Sequence, residues 1–454
     1  MQFSLAQVRE ATEGRLLDAC PDSYARGYGI DSRTVNPGDL FFAIQGATDG
    51  HRFCSAAIER GAIACVVSNE TITGPRLIVP DTLTALHRTA YTARELWNRP
   101  VVAVTGSAGK TSTKDIIAEF LGVHLRVSKT IGNFNNHLGL PLTLLRIPED
   151  AEVAVVELGM NHSGEIRLLT SLAAPQFGVV TNVGFAHVEF FDSIEGVAAA
   201  KRELIEGLAP GGTAILNADD ERVLRFREIH SGPVVTYGFS PHADIRAADV
   251  NIHPGGVEFS VNGVPFRSSL SGRHGISNIL AGLAVAGLFQ IGLPELVETV
   301  AQLLPGNMRG ERSVWQGITL LNDSYNSNPE AARNMLDILC AEPAKRKIAV
   351  LGEMLELGRM TEQLHRELGA YAARAGVDIL IGVQGAAEFL VEEANACGLA
   401  DYAVFFFPES EQAGAFLRTF AKPGDAILFK GSRGAHLELA LHKLTQDTQD
   451  ETKL

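Results

Sequence analysis

The chain has 454 residues, 46% of them apolar and 20% charged, enough for several soluble cores. Its net charge of −14 argues against a general nucleic-acid or anionic-membrane partner, so anionic ligands must be held by local basic and N–H-rich sites. The five cysteines are scattered without a Cys-x-x-Cys pair, and no apolar stretch reaches about 18 residues, so a cytoplasmic protein with reduced thiols and no membrane insertion is expected. A monomer is the expected state, although no residue pattern fixes it.

At about 150 residues per domain the length predicts three units. Residues 1–98 read as the first. A short helix with its turns is expected over Leu5 to Leu17, and a turn then enters the apolar strand around Leu40–Ile44. The polar glycine loop Gly46–His51 follows, then strands Ile63–Val67 and Leu77–Val79 with helices around them. The helix Leu83–Trp97 ends before Pro100, where the first boundary falls. On the residues alone, Ser32 and Arg33 fit a turn better than a ligand site.

Residues 99–309 read as the second unit. Val101–Val104 is a Val-rich buried strand running into Thr105-Gly106-Ser107-Ala108-Gly109-Lys110-Thr111 and a helical run, Ser112–Leu121. The two glycines let the backbone bend around a ligand, and the helix start points N–H groups at an anion. Lys110 adds a charge for phosphate and Thr111 a hydroxyl for Mg²⁺, so a nucleoside triphosphate site is expected. The loop is shorter than the general phosphate-loop pattern, because Val104 stands where that pattern's first glycine would fall.

Further strands, Val153–Glu157 and Phe177–Asn182, alternate with helices. They predict a parallel sheet with ligands at the carboxyl ends of its strands. Glu157 and His187 both follow such ends and suit a cation beside the phosphates, although a capping Glu and a loop His explain each singly as well. Between 234 and 270 short alternating runs predict an antiparallel edge, and a helix is expected over Ile279–Phe289.

Residues 310–454 read as a third, doubly wound α/β unit. Strands are expected at Ile318–Leu321, Ile348–Leu351, Ile379–Ile381, Ala403–Phe407 and Ala426–Phe429, with helices such as Pro329–Leu339 and Thr361–Ala375 between them. The strand ends carry Asp323, Glu353 and Lys430-Gly431-Ser432-Arg433. The polar tail from Gln446 onward is expected to fray.

Several segments together resemble the Mur ligases over essentially the whole chain. They are the 105–111 loop, Gly132-Asn133-Phe134-Asn135-Asn136, Glu157-Leu158-Gly159-Met160-Asn161, Asp323-Ser324-Tyr325-Asn326-Ser327-Asn328-Pro329, Gly352-Glu353-Met354-Leu355-Glu356-Leu357-Gly358 and Lys430–Arg433. The resemblance implies a central ATPase-type parallel sheet, a Rossmann-like third domain, and ATP-dependent joining of D-alanyl-D-alanine to UDP-N-acetylmuramoyl-tripeptide. It also implies Thr105–Ser112, Asn278, Arg309, Asp323, Tyr325 and Asn326 for ATP. One Mg²⁺ falls on Thr111 and Glu157, and a second on His187 and a carbamylated Lys201. Lys110, His187, Lys201 and Arg309 become the catalytic set.

Ser32, Arg33, Thr48, Asp49, Gly50 and His51 resemble the UDP end of the substrate site, and Asn135 and Asn136 its muramoyl-peptide part. Lys430, Ser432 and Arg433 are placed on the dipeptide or the peptide tail. On the residues alone, Lys201 is a solvated helix lysine. Gly275 departs from the family, whose members often carry Asn there. Sister ligases that add another amino acid, folylpolyglutamate-type enzymes and a GTP-dependent switch are the alternatives. The chain has neither an Asp-Asn-Pro-Arg run nor a guanine-reading Asn-Lys-x-Asp run.

Overall fold

In a computed structural model, residues 1–446 are described, and the tail expected to fray lies, beyond Gln446, outside the described residues. Three α/β units follow one another. In the first, a five-stranded sheet has the spatial order Arg15–Leu17, Arg76–Ile78, Ala64–Val67, Asp39–Phe42, Gly27–Gly29. Asp39–Phe42 and Ala64–Val67 are buried at every position, which is why Leu40–Phe42 and Ala64–Val67 read as unbroken apolar runs. The helix expected over Leu5–Leu17 stops at Thr12. Glu13 then takes φ +56, and Arg15–Leu17 becomes an antiparallel edge strand on Arg76–Ile78. A three-residue edge strand has no period to read, and pairing alone defines it. Gly27–Gly29 escaped notice for the same reason.

The central sheet has seven parallel strands. Val101–Thr105 sits between Val153–Glu157 and Phe177–Val180, with Val104 opposite Glu157 and Thr105 opposite Val180. The chain first builds outward to Val127–Lys129 on one side and later crosses to Phe177–Val180 on the other. That reversal opens a crevice at the carboxyl end of Val101–Thr105. The helix Lys110–Leu121 buries Ile116, Ile117 and Phe120 against the helix Gly272–Leu288. The crossing needs Gly282, because a Cβ there would meet Ile116 Cγ2 at 2.7 Å. Truncating the fully buried Phe120 to Ala would cost about 3–5 kcal/mol.

Two expectations are corrected here. The segment 234–246 is not antiparallel: Val234–Gly238 and Ile245–Arg246 extend the parallel sheet, and only 248–268 forms an antiparallel three-stranded sheet. Alternation marks a half-buried hairpin, and the two short parallel strands carry little of it. The helix expected from Ile279 begins at Gly272. Its glycines at 272 and 275 are weak helix formers, so propensity hides the first two turns, which packing stabilises.

In the third unit the spatial order is Glu311–Trp315, Ile318–Asp323, Asp425–Lys430, Arg346–Gly352, Ile379–Val383, Val404–Phe407. All neighbours are parallel except the first pair. Every expected strand is present, most of them extended by a residue or more. Glu311–Trp315 was not expected, because its polar residues form a largely exposed edge.

Candidate active site

The loop after Val101–Thr105 is shaped by two glycines. Gly106 has φ +151, and a Cβ there would lie 1.8 Å from Thr181 Oγ1. Gly109 has φ +78 and precedes the helix, and its Cβ would meet Asn278 Oδ1 at 2.7 Å. The end of the neighbouring strand braces the loop. Thr181 Oγ1 donates to the Ala108 carbonyl at 2.6 Å, Asn182 Oδ1 accepts from Ala108 N at 2.9 Å, and Ser107 Oγ donates to the Gly184 carbonyl at 3.0 Å. Thr105 is buried and donates to the Leu158 carbonyl at 2.9 Å.

Glu157, 3% exposed, closes the other side. Its Oε2 accepts from Thr111 Oγ1 and its Oε1 from Asn135 Nδ2, both at 2.8 Å. Lys110 Nζ donates to the Gly106 carbonyl at 2.8 Å. Burial pushes this ammonium below its ordinary value; Glu157 opposes the shift and Arg309 adds to it.

A cleft of about 720 Å³ runs from this loop to the third unit. Ser107–Ser112, Asn135, Asn136, Glu157, His187, Asn278, Arg309, Asp323, Tyr325, Asn326 and Lys430 all line it. Arg309 lies over the Tyr325 ring at 3.9 Å, which fixes the guanidinium near the loop. Asn278 Oδ1 accepts from Thr113 Oγ1 at 3.2 Å. Asn136 Oδ1 accepts from Leu138 N at 3.1 Å and Gly139 N at 2.9 Å, just ahead of the helix Gly139–Leu145.

Other candidates stand elsewhere or are otherwise engaged. Lys430 is buried, paired with Asp323 at 2.8 Å and donating to the Asn326 carbonyl at 2.5 Å. It therefore sits with the residues assigned to ATP. Ser432 is buried and accepts from Leu355 N at 2.9 Å, whereas Arg433 is exposed beside Glu438. His51 is buried between Asp49, at 2.6 Å from Nδ1, and Ser68 N, which donates to Nε2 at 2.9 Å. It holds the loop that carries Thr48, Asp49 and Gly50. Ser32 is buried, and Arg33 is exposed and paired with Asp31 at 2.7 Å.

Lys201 is not a solvated helix lysine. It is 1% exposed on the helix Ile194–Glu206 and does not line the cleft. Burial pushes its pKa well below the ordinary lysine value, and the Lys110 charge adds to the shift. The His187 ring pairs through Nδ1 with Glu356 of the third unit, and this pairing holds the Glu356 carboxyl below its usual range. Reading single residues missed Glu330 as well. It lies in the cleft, its oxygens 3.3 and 3.4 Å from Phe185 N, and burial raises its pKa. Asn182 could have been found from its place at a strand end; Glu356 stands in the Gly352–Gly358 segment with nothing local to show its partner, and Glu330 carries no such signal.

Among the described residues no group of three His, Cys, Asp or Glu side chains forms a ready metal cage. The donor set still suits Mg²⁺, which takes one or two carboxylates and completes its shell with substrate phosphates. Glu157 and Thr111 together offer that partial set beside the loop.

A phosphate loop in the central unit faces the third unit across one cleft, the arrangement of an enzyme that uses a nucleoside triphosphate. The Mur ligase middle domain matches residues 104–286, the Mur ligase glutamate ligase domain 308–433, and the Mur ligase family catalytic domain 25–110. The chain belongs to the Mur ligase family. It is 36% identical to the UDP-N-acetylmuramoyl-tripeptide–D-alanyl-D-alanine ligase of Bacillus subtilis, over 96% of each chain. It is 33% identical to the ligase of that name from Escherichia coli, over 98% of this chain and 99% of the other. MurF from Acinetobacter baumannii superposes with a TM-score of 0.92 at 28% identity, covering 98% of this chain and 99% of that one. MurF from Thermotoga maritima, solved in complex with ADP, superposes at 0.84 and 28% identity, over 94% and 99%.

Proposed function

We infer that the chain is an ATP-dependent, ADP-forming ligase that joins D-alanyl-D-alanine to UDP-N-acetylmuramoyl-tripeptide. The observation that carries this reading is the full-length match to ligases of that name, together with the glycine-bounded loop facing the third unit across one cleft. The tripeptide carboxylate oxygen attacks the γ-phosphorus, and ADP leaves. The dipeptide amine attacks the acyl-phosphate carbon and loses a proton. The tetrahedral adduct expels phosphate, leaving the amide. Free carboxylate and amine do not condense in water, so the phosphoryl group supplies the leaving group. The protein contributes mainly positioning and charge neutralisation.

The roles of the residues are our proposal. Lys110 and the loop N–H groups hold the β- and γ-phosphates, and Arg309 meets the γ-phosphate. Asn278, Asp323, Tyr325 and Asn326 hold the nucleoside. Thr111 and Glu157 hold one Mg²⁺, and His187 a second. When bound, Mg²⁺ neutralises charge developing on the transferring phosphoryl group. Lys201 is a candidate for carbamylation: a buried lysine of lowered pKa presents a neutral amine to CO₂, and the carbamate would supply an anionic oxygen.

We assign residues 1–98 to the UDP end of the substrate, 99–309 to ATP and 310–454 to the dipeptide. The confinement of the three large sheets to 15–78, 101–246 and 311–430 supports this division. The cytoplasm is the proposed compartment, in keeping with five unpaired cysteines. Among the described residues no helix is long and apolar enough to cross a membrane.

The test is phosphate release by the purified chain. Release should require ATP, the UDP-tripeptide and the dipeptide together, with one ADP per new amide in the product's mass spectrum. ATP hydrolysis independent of the dipeptide would overturn the reading.

A further inference from the structure

His187 follows the strand Phe177–Val180 and lies in the cleft, yet its Nδ1 faces a carboxylate from a different unit, Glu356. The pairing belongs to a wider clasp. Glu189 N donates to the Glu356 carbonyl at 3.0 Å, and Arg359 Nη2 donates to the Asp192 carbonyl at 2.6 Å. Gly358, at φ +54, packs on Glu189 so closely that a Cβ would come within 3.0 Å of Glu189 Cα. His187 and Glu356 themselves both adopt left-handed backbone, at φ +61 and +62. Such conformations are unfavourable for residues with a side chain and persist where the surroundings over-determine them. Here each of the two strained residues is the other's partner.

We propose that Glu356 is a positioning residue for His187. The third unit supplies the carboxylate that fixes the imidazole ring and its tautomer, leaving Nε2 as the nitrogen offered to a cation. A histidine that ligates a metal needs its second nitrogen engaged, and a carboxylate there also makes the ligating nitrogen more basic. Because Glu356 comes from the third unit, the cation site in the central unit is complete only while the two units are clasped. The inference rests on the reading of His187 as a metal ligand.

The experiment compares Mn²⁺ binding to the full chain, in the presence of a non-hydrolysable ATP analogue, by electron paramagnetic resonance. The variants are Glu356→Ala, Glu356→Gln, Arg359→Ala and His187→Ala. Glu356→Ala is expected to weaken the His187-dependent Mn²⁺ site by about 10- to 100-fold, with Glu356→Gln recovering part of the loss. Arg359→Ala, which opens the clasp without touching the ring, should weaken it less. Nitrogen-15 shifts of His187 should show one tautomer in the parent and a mixture in Glu356→Ala. Parent-like Mn²⁺ binding by Glu356→Ala, with His187→Ala impaired, would overturn the positioning role alone. Equal losses in Arg359→Ala and Glu356→Ala, with the tautomer unchanged, would reduce Glu356 to a contact between units and overturn it too. Unaltered Mn²⁺ binding by His187→Ala would remove the metal reading beneath it.

Discussion

The hydroxyl of Thr111 donates to Glu157 Oε2 at 2.8 Å, tying the first turn of the phosphate-loop helix to the end of the adjacent strand. Two residues 46 apart in sequence thereby become one half-built cation site. Glu157→Gln keeps the size and an acceptor but removes the charge. Its kcat/KM should fall by about 10²–10³, and more Mg²⁺ should be needed for half-maximal phosphate release. A Mg²⁺ titration of product formation checks this; an unchanged midpoint would dismiss Glu157 as a ligand.

Gly106→Ala forces a Cβ to within 1.8 Å of Thr181 Oγ1, at φ +151. Backbone strain alone costs about 1–3 kcal/mol. The variant should melt several degrees lower and lose ATP binding. Pairing it with Thr181→Ala removes the clashing oxygen and should recover part of the melting loss. Full additivity of the two changes in thermal melts would show that this contact is not the cause.

Lys201→Ala should lower turnover by more than about 10²-fold, because the carbamate oxygen would be lost at a buried position. Added formate or acetate should restore part of it, and bicarbonate should stimulate the parent enzyme in CO₂-stripped buffer. Steady-state assays with and without these additives decide the matter. Full activity in Lys201→Ala would end the carbamate proposal.

Burial raises the folded-state pKa of Glu330 above its unfolded value. Such a carboxyl favours the folded state while it is protonated, and that advantage is lost as pH rises through the folded pKa. Glu330→Gln should therefore melt close to the parent below about pH 4, near the ordinary carboxylate value, and slightly above it at pH 8. Calorimetry across that range tests the sign. A larger advantage for Gln at low pH would contradict the assignment of burial as the cause.

Local physics made much of the molecule legible. Val101–Val104 reads as a buried strand, and Gly106, Gly109, Lys110 and Thr111 after it read as an anion cradle, because β-branched runs and glycine act over a few residues. Glu157 was visible for the same reason, as the carboxylate ending a Val-rich run. What stayed hidden depends on neighbours far along the chain. Arg15–Leu17 becomes a strand only because Arg76–Ile78 lies beside it, and the first turns of Gly272–Leu288 form despite their glycines.

The amino-acid order by itself determined the fold class, the family likeness and the phosphate loop, all of which rest on short-range pattern. Tertiary structure alone decided which charges survive as free groups. It turned Lys430 onto Asp323, sank Lys201 beneath the surface and set Glu356 against His187. A charged side chain's state is fixed by its distance to other charges and to water, and neither distance is written in the order of the residues.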